Sequence, residues 1–303
     1  MHEEGGTKAI VAAFLANLGI AAAKFIGFAF TGSASMLAEA THSSADTTNQ
    51  GLLMLGRRQA RRPANPEHPF GYGRERFFWS FVVALVIFSF GAVFALFEGI
   101  EKVREPHELD SVGWAIGILL FAIALEGYSF RTAIAESRPL KGDGSWWQFI
   151  RHAKVPELPV VLLEDFGALI GLVFALGGVA LAQITGNARF DAVGSIAIGV
   201  LLAIIAVTLV VEMKSLLIGE SATAAQRQLI TDAIETHPKT SQLIHMRTEH
   251  LGPEELLVGA KIDFGKGVSS EDLADSINSV EQSIRAAVPE ARVIYIEPDI
   301  FRG

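Results

Sequence analysis

Six stretches of this chain, near residues 8–30, 33–57, 77–101, 111–134, 156–184 and 190–216, are long and predominantly apolar. Each reaches the ~20 helical residues needed to cross a hydrocarbon core. Six such runs in succession do not fit a soluble domain, whose surface helices pair an apolar face with a polar one. The expected fold class is therefore a membrane all-α six-helix bundle. Composition agrees, since 50% of the 303 residues are hydrophobic and the mean hydropathy is +0.37. The start, Met1-His2-Glu3-Glu4, lacks the basic residues of a signal peptide, so the first run is expected to stay as a span.

Charge on the connections predicts the orientation. The link from Arg57 to Arg76 carries Arg57, Arg58, Arg61, Arg62, Arg74 and Arg76, and the link from Arg131 to Lys154 carries Arg131, Arg138, Lys141, Arg151 and Lys154. On the other side there is no cation in Thr31-Gly32-Ser33, little beyond Lys102 and Arg104 in the third connection, and Arg189 in the fifth. Cationic loops stay on the cytoplasmic side, so a multi-pass protein of the cell (inner or plasma) membrane with both termini cytoplasmic is expected.

Several function classes drop out. The formal charge of −8 argues against a nucleic-acid partner, which would call for a basic patch. With no Cys there are no disulfides, thiolate metal sites or thiol chemistry. An intramembrane metalloprotease would need a ligand motif such as His-Glu-x-x-His, which is absent. An enzyme is not expected.

After Ser221 the periodicity changes. Thr223-x-x-Gln226 reads as a capping box opening a helix to about Thr236, with Leu229, Ile230, Ala233 and Ile234 inward. Strands follow near 241–250 and 255–264, joined through Gly252-Pro253. Ser269 opens a helix in which Leu273, Ile277, Val280 and Ile284 recur at helical spacing, and Ala291–Glu297 reads as a last strand. The order helix–strand–strand–helix–strand predicts a cytoplasmic α+β domain of ferredoxin type. The expected domains are residues 1–218 for the six spans and 219–303 for the ferredoxin-like part.

Ionisable groups inside the bilayer are costly and are functional candidates by default. The second run holds His42 and Asp46, four apart and hence on one helix face. The fifth holds the pair Glu164-Asp165 amid Leu, Val, Gly and Ala. An imidazole with two or three carboxylates from two helices makes a mixed nitrogen and oxygen metal site suited to zinc, and its ligands can exchange protons for metal. Glu164 and Asp165 are about 100° apart around their helix, so they need not face one site. Glu164 is then either a ligand or the partner of a cation such as Lys24. Asn17, Lys24, Glu98 and Glu126 are further intramembrane polar groups, read as packing or charge-pairing residues.

The run Gly32-Ser33-Ala34-Ser35-Met36-Leu37-Ala38-Glu39-Ala40-Thr41-His42-Ser43-Ser44-Ala45-Asp46 resembles the second span of the cation diffusion facilitator family. Glu67-His68-Pro69-Phe70-Gly71-Tyr72-Gly73-Arg74-Glu75-Arg76 resembles the loop that follows it there. The resemblance implies a homodimer that moves a divalent cation out of the cytoplasm in exchange for protons, by alternating access. It also implies a site of two residues four apart on span two and two on span five. His42 and Asp46 carry over in the His-x-x-x-Asp form similar to zinc-selective members, and Asp165 carries over from span five. Val161 stands four before Asp165, where most relatives have His or Asp, and Glu164 is the substitute ligand, as in the branch that includes mitochondrial zinc transporters.

The metal-ligand set expected is thus His42, Asp46, Asp165 and Glu164, with Zn2+ as transported substrate and no cofactor. Accessory sites look degraded: Asn65, His68 and Tyr72 stand at a second metal site of some relatives, leaving one ligand, and the soluble part offers His237, His245 and His250. His245 and His250 are read as ordinary strand residues, and that part as a dimerisation module. The partners expected are a divalent metal ion, protons, the lipid bilayer and a second copy of the chain. Two alternatives stay open: a manganese, iron or cobalt carrier, because oxygen-rich sites favour harder ions, and a non-transporting partner subunit.

Overall fold

The computed structural model describes residues 6–31, 34–104, 112–187 and 189–302, with the side chains of 31, 34–39, 41, 42, 88, 112, 114 and 115 outside that description. The chain divides into two compact units, Met1–Gln59 with Arg76–Lys214, and Ala60–Glu75 with Ser215–Gly303.

The first unit is helical. Its elements are α1 (Thr7–Thr31), α2 (Ala34–Ala60), α3 (Glu75–Val86), α4 (Phe94–Arg104), α5 (Val112–Lys141), α6 (Trp146–His152), α7 (Glu157–Thr185) and α8 (Arg189–Ile218). A π-helical segment, Ile87–Val93, joins α3 to α4, so that Glu75–Arg104 runs as one helical span. Among the described residues five helical spans are long and apolar enough to cross a membrane: Thr7–Phe30, Glu75–Arg104, Ile116–Lys141, Glu157–Thr185 and Arg189–Ile218. The expected second span is helical as α2, 27 residues long, but falls outside that set. Its run from His42 to Gln50 (His-Ser-Ser-Ala-Asp-Thr-Thr-Asn-Gln) is too polar. Much of that polarity is satisfied within the helix. Ser44, Thr47 and Thr48 each donate a hydroxyl to the carbonyl four residues back, at 2.9 Å.

The helices pack through small residues. Ala9, Ala13, Ala16 and Ile20 are buried at spacings of four, three and four along α1, and α1 packs on α5 and α7 while α5 packs on α7. Where α4 meets α8, a Cβ on Gly199 would lie 2.8 Å from the Leu96 backbone nitrogen, and one on Gly99 would lie 2.9 Å from that of Ile196. Only hydrogen at those two positions allows the approach, the close packing by which membrane helices associate. The outward faces carry Leu15, Phe30, Phe90, Phe97, Ile184 and Ile204, all exposed, an apolar surface of the kind lipid covers.

Ion pairs stitch helix ends. Arg76 grips Glu157 with two hydrogen bonds, 2.5 and 2.9 Å, both residues buried. Removing either partner would strand a buried charge, at a cost of roughly 3–5 kcal/mol. Glu98 pairs with Lys102 (3.0 Å), which also meets Asp191 (3.1 Å), so the expected pairing role of Glu98 holds. Asn17 is buried, 4% exposed.

The second unit is an α–β–β–α–β arrangement of α9 (Ala224–Glu235), β1 (Gln242–Gly252), β2 (Glu255–Asp263), α10 (Ser270–Ala287) and β3 (Val293–Asp299). Thr223 and Gln226 form the capping box expected for α9, and Ser269 caps α10. The sheet order is β1-β2-β3, antiparallel then parallel. Alternate residues of β2 (Leu256, Val258, Ala260, Ile262) point into a core with Ile230 and Ile234 of α9 and Val280 and Ile284 of α10. The loop Ala60–Glu75 belongs to this unit because Gly73 lies against Gly252, where a Cβ on Gly252 would sit 2.9 Å from the Gly73 Cα, and Arg74 donates to Glu249.

Candidate metal site

A polar seam runs along one face of α2. Ser43, Asn49 and Gln50 are buried and Asp46 half-buried, at the three- and four-residue spacings that keep side chains on one helix face. His42 sits one turn before Asp46 in α2, and its side chain lies outside the described residues. From α1, Lys24 reaches the seam, its Nζ donating to Ser43 Oγ at 3.0 Å.

The two carboxylates of α7 face different neighbours, as their 100° separation requires. Glu164 turns to α2: its oxygens accept from Asn49 Nδ2 (3.1 Å) and Gln50 Nε2 (2.5 Å). The cation Lys24, weighed as its alternative partner, hydrogen-bonds Ser43, and two amide donors hold Glu164. Asp165 turns to α5, accepting from Ser129 Oγ at 2.6 Å through Oδ2. Its other oxygen, Oδ1, is buried with no hydrogen-bond partner among the described residues. The amide oxygens of Asn49 and Gln50 are buried in the same condition. An oxygen left so is expensive unless something electropositive meets it. Val161 is fully buried and brings hydrocarbon alone.

Glu126 of α5, read from sequence as a packing or pairing residue, is 4% exposed and lies within electrostatic reach of Asp165, Asp46 and Lys24. Asp46 likewise acts on Glu164. Among the described residues no three carboxylates or imidazoles stand close enough to grip a metal ion at once. The seam therefore holds its acids on hydrogen bonds from Asn49, Gln50 and Ser129. The sequence reading passed over those three donors. For Asn49 and Gln50 the signal was the continuation of the His42/Asp46 face by another turn of α2; Ser129 of α5 had none.

The accessory positions are engaged with one another. Asn65 Nδ2 donates to the Tyr72 hydroxyl (2.8 Å), Asn65 Oδ1 accepts from the His68 backbone N–H (2.7 Å), and the His68 and Tyr72 rings stack at 4.5 Å. In the second unit His237 meets Ser279 Oγ at 2.9 Å, His245 meets Arg247 at 3.1 Å, and His250 is buried within β1.

Comparison with known proteins fits this arrangement. Residues 10–218 match the family described as the cation efflux transmembrane domain. The chain is 32% identical over 302 residues, 99% of its own length and 53% of the relative's, to the proton-coupled zinc antiporter SLC30A9, mitochondrial, of Xenopus laevis. It is 33% identical over 244 residues, 80% and 43% of the two lengths, to the protein of the same name from Mus musculus. Against magnetosome protein MamB of Magnetospira sp. (strain QH-2) it is 25% identical over 292 residues, 94% and 92% of the two lengths. The chain spans about half the length of the first two relatives. Acids buried between long apolar helices, and a family match over most of the chain, lead to one conclusion: the chain belongs to the cation efflux family, the cation diffusion facilitators.

Proposed function

We propose that this chain carries a divalent cation, zinc foremost, across a membrane in exchange for protons by alternating access, through a site of His42, Asp46, Asp165 and Glu164. The observation that carries the reading is Asp165: a carboxylate 1% exposed in an apolar helix, one oxygen held by Ser129 and the other open. Such a group is costly to keep in a membrane without a function. Its open oxygen suits a cation, and the same oxygens accept protons when the cation leaves, which is the chemistry of exchange. The names of the SLC30A9 relatives, proton-coupled zinc antiporters, support the substrate and the coupling.

In this reading α2 is the sixth span. Its Ser44, Thr47 and Thr48 hydroxyls donate along its own backbone and the amide N–H groups of Asn49 and Gln50 donate to Glu164, which supports a helix whose buried amides face its neighbours rather than lipid. The cationic links put both termini in the cytoplasm. The membrane is read as the cell's inner or plasma membrane, while the SLC30A9 relatives are named as mitochondrial. The part from residue 219 onward is read as a ferredoxin-like module joining two copies.

A harder ion such as manganese or iron is the second reading, favoured by a ligand set with three carboxylates to one imidazole. The deciding experiment is metal uptake into proteoliposomes with zinc, manganese, iron(II), cobalt and cadmium, each with and without a pH gradient. Zinc uptake that rises with the gradient is expected. Gradient-driven manganese or iron uptake with zinc inert would favour the second reading, and no uptake of any metal would favour the non-transporting subunit.

A further inference from the structure

The α7 face that carries Asp165 is short of ligands. One turn before it, Val161 is fully buried hydrocarbon, and Glu164, on the neighbouring face, shares its oxygens with the amides of Asn49 and Gln50. Yet Asp165 Oδ1 is buried with no hydrogen-bond partner among the described residues.

The next polar helix against Asp165 is α5. Ser129 of α5 touches Asp165 at 2.6 Å, which fixes the face of α5 that looks at the seam. Glu126 lies three residues before Ser129, so it projects from that same face one turn away. It is 4% exposed and falls mid-way along the apolar span Ile116–Lys141. Its carboxylate lies within electrostatic reach of Asp165, Asp46 and the Lys24 ammonium. Asp46, Glu126, Glu164 and Asp165 thus share one low-dielectric region with Lys24 as the cation identified beside them. Acids grouped in so apolar a place are neutralised by protons or offset by a divalent ion, the two species an exchanger trades.

We propose that Glu126 is a metal ligand contributed by α5, closing on the transported cation together with Asp46 and Asp165, which in this conformation do not yet meet at one point, so that the cation sits among α2, α5 and α7. This rests on the reading of His42, Asp46 and Asp165 as ligands. It adds a third helix to the site, and with it a third element that must move when access alternates. A further carboxylate also makes the site harder, which should narrow the preference for zinc over manganese.

The test uses the full-length protein purified in detergent and titrated with zinc and, as a spectroscopic probe, cobalt(II), whose visible absorption responds to ligand number and geometry. Glu126→Gln keeps size and polarity but removes the charge. The expected result is a zinc dissociation constant raised at least tenfold, an altered cobalt spectrum, and an unfolding temperature without metal at least equal to the parent's. Zinc affinity within twofold of the parent, or a parent-like cobalt spectrum, overturns the proposal. If Glu126→Gln does not fold, Glu126→His retains a ligand of different type: binding with a shifted cobalt spectrum supports the proposal and an unshifted one overturns it. Asp165→Asn measured in parallel separates the two levels. If Asp165→Asn loses zinc while Glu126→Gln keeps it, Glu126 alone is dismissed. If both keep it, the α2–α7 site itself falls.

Discussion

Both units bury hydrocarbon, but they differ in the polar groups they bury with it. Behind β2 the second unit hides Leu256, Val258, Ile262, Ile230, Ile234 and Ile284, all of them hydrocarbon. Between its helices the first unit hides Asn49, Gln50, Glu126, Ser129, Glu164 and Asp165, and turns Phe30, Phe97 and Ile184 outward. Lipid supplies the apolar surroundings that a soluble core must build for itself, so the first unit can turn large apolar side chains outward while small ones pack its helices. What it sequesters besides is a set of acids and polar groups. In the second unit a buried side chain accounts for stability, whereas in the first unit a buried polar side chain destabilises and is explained by what it does.

Substitutions can break or sharpen that contrast. The largest effect should come from α2. His42→Ala or Asp46→Ala removes a proposed ligand at membrane depth and should abolish metal uptake while leaving the protein folded, as read by size-exclusion chromatography and flux per folded molecule. Near-normal flux in either variant would place the site elsewhere. Next comes Leu256→Ala, a fully buried residue of the second unit. It should cost roughly 2–5 kcal/mol of that unit's stability, seen in thermal unfolding, and leave uptake per folded molecule close to the parent's. A specific loss of flux without a loss of stability would erase the division between the units.

Glu164→Gln should have a graded effect. Asn49 and Gln50 hold this carboxylate, so the amide replacement weakens those bonds and any metal contact together. A raised apparent metal constant with little change in unfolding temperature marks a ligand, and the reverse marks a structural acid. Metal titration and thermal unfolding run side by side distinguish them. The smallest effect belongs to Arg74→Ala, which removes the ion pair to Glu249. Both residues are more than a third exposed, and exposed pairs contribute about 1 kcal/mol or less. A larger loss in chemical denaturation would show that the loop from Ala60 to Glu75 depends on that pair more than on the approach of Gly73 to Gly252.

How legible each feature was follows its range along the chain. The capping box at Thr223 and Gln226 and the cap at Ser269 are three-residue relations, and the sequence pattern placed α9 and α10 closely. The apolar runs were as plain. α2 was harder: read as one of the apolar runs, it is helical over 27 residues, but the polar stretch from His42 to Gln50 keeps it out of the spans apolar enough to cross a membrane. The partners of Glu164 were not legible. Asn49 is 115 residues away from it, and which acid of Glu164-Asp165 faces α2 depends on helix rotation that no local pattern records. Glu126 was visible as an acid in mid-span but not as a neighbour of Asp165. The Arg74–Glu249 contact bridges 175 residues and joins segments with no common motif.

The central claim is that the buried acid at Asp165 exists to meet the transported ion. It is tested most directly by zinc uptake into proteoliposomes under an imposed pH gradient, comparing the parent with Asp165→Asn at equal amounts of folded protein. The substitution keeps shape and a hydrogen-bonding oxygen and removes the negative charge. The account predicts gradient-driven uptake in the parent, and in Asp165→Asn no uptake above empty vesicles despite an unfolding temperature at least as high as the parent's. Uptake by Asp165→Asn at the parent's rate would contradict it.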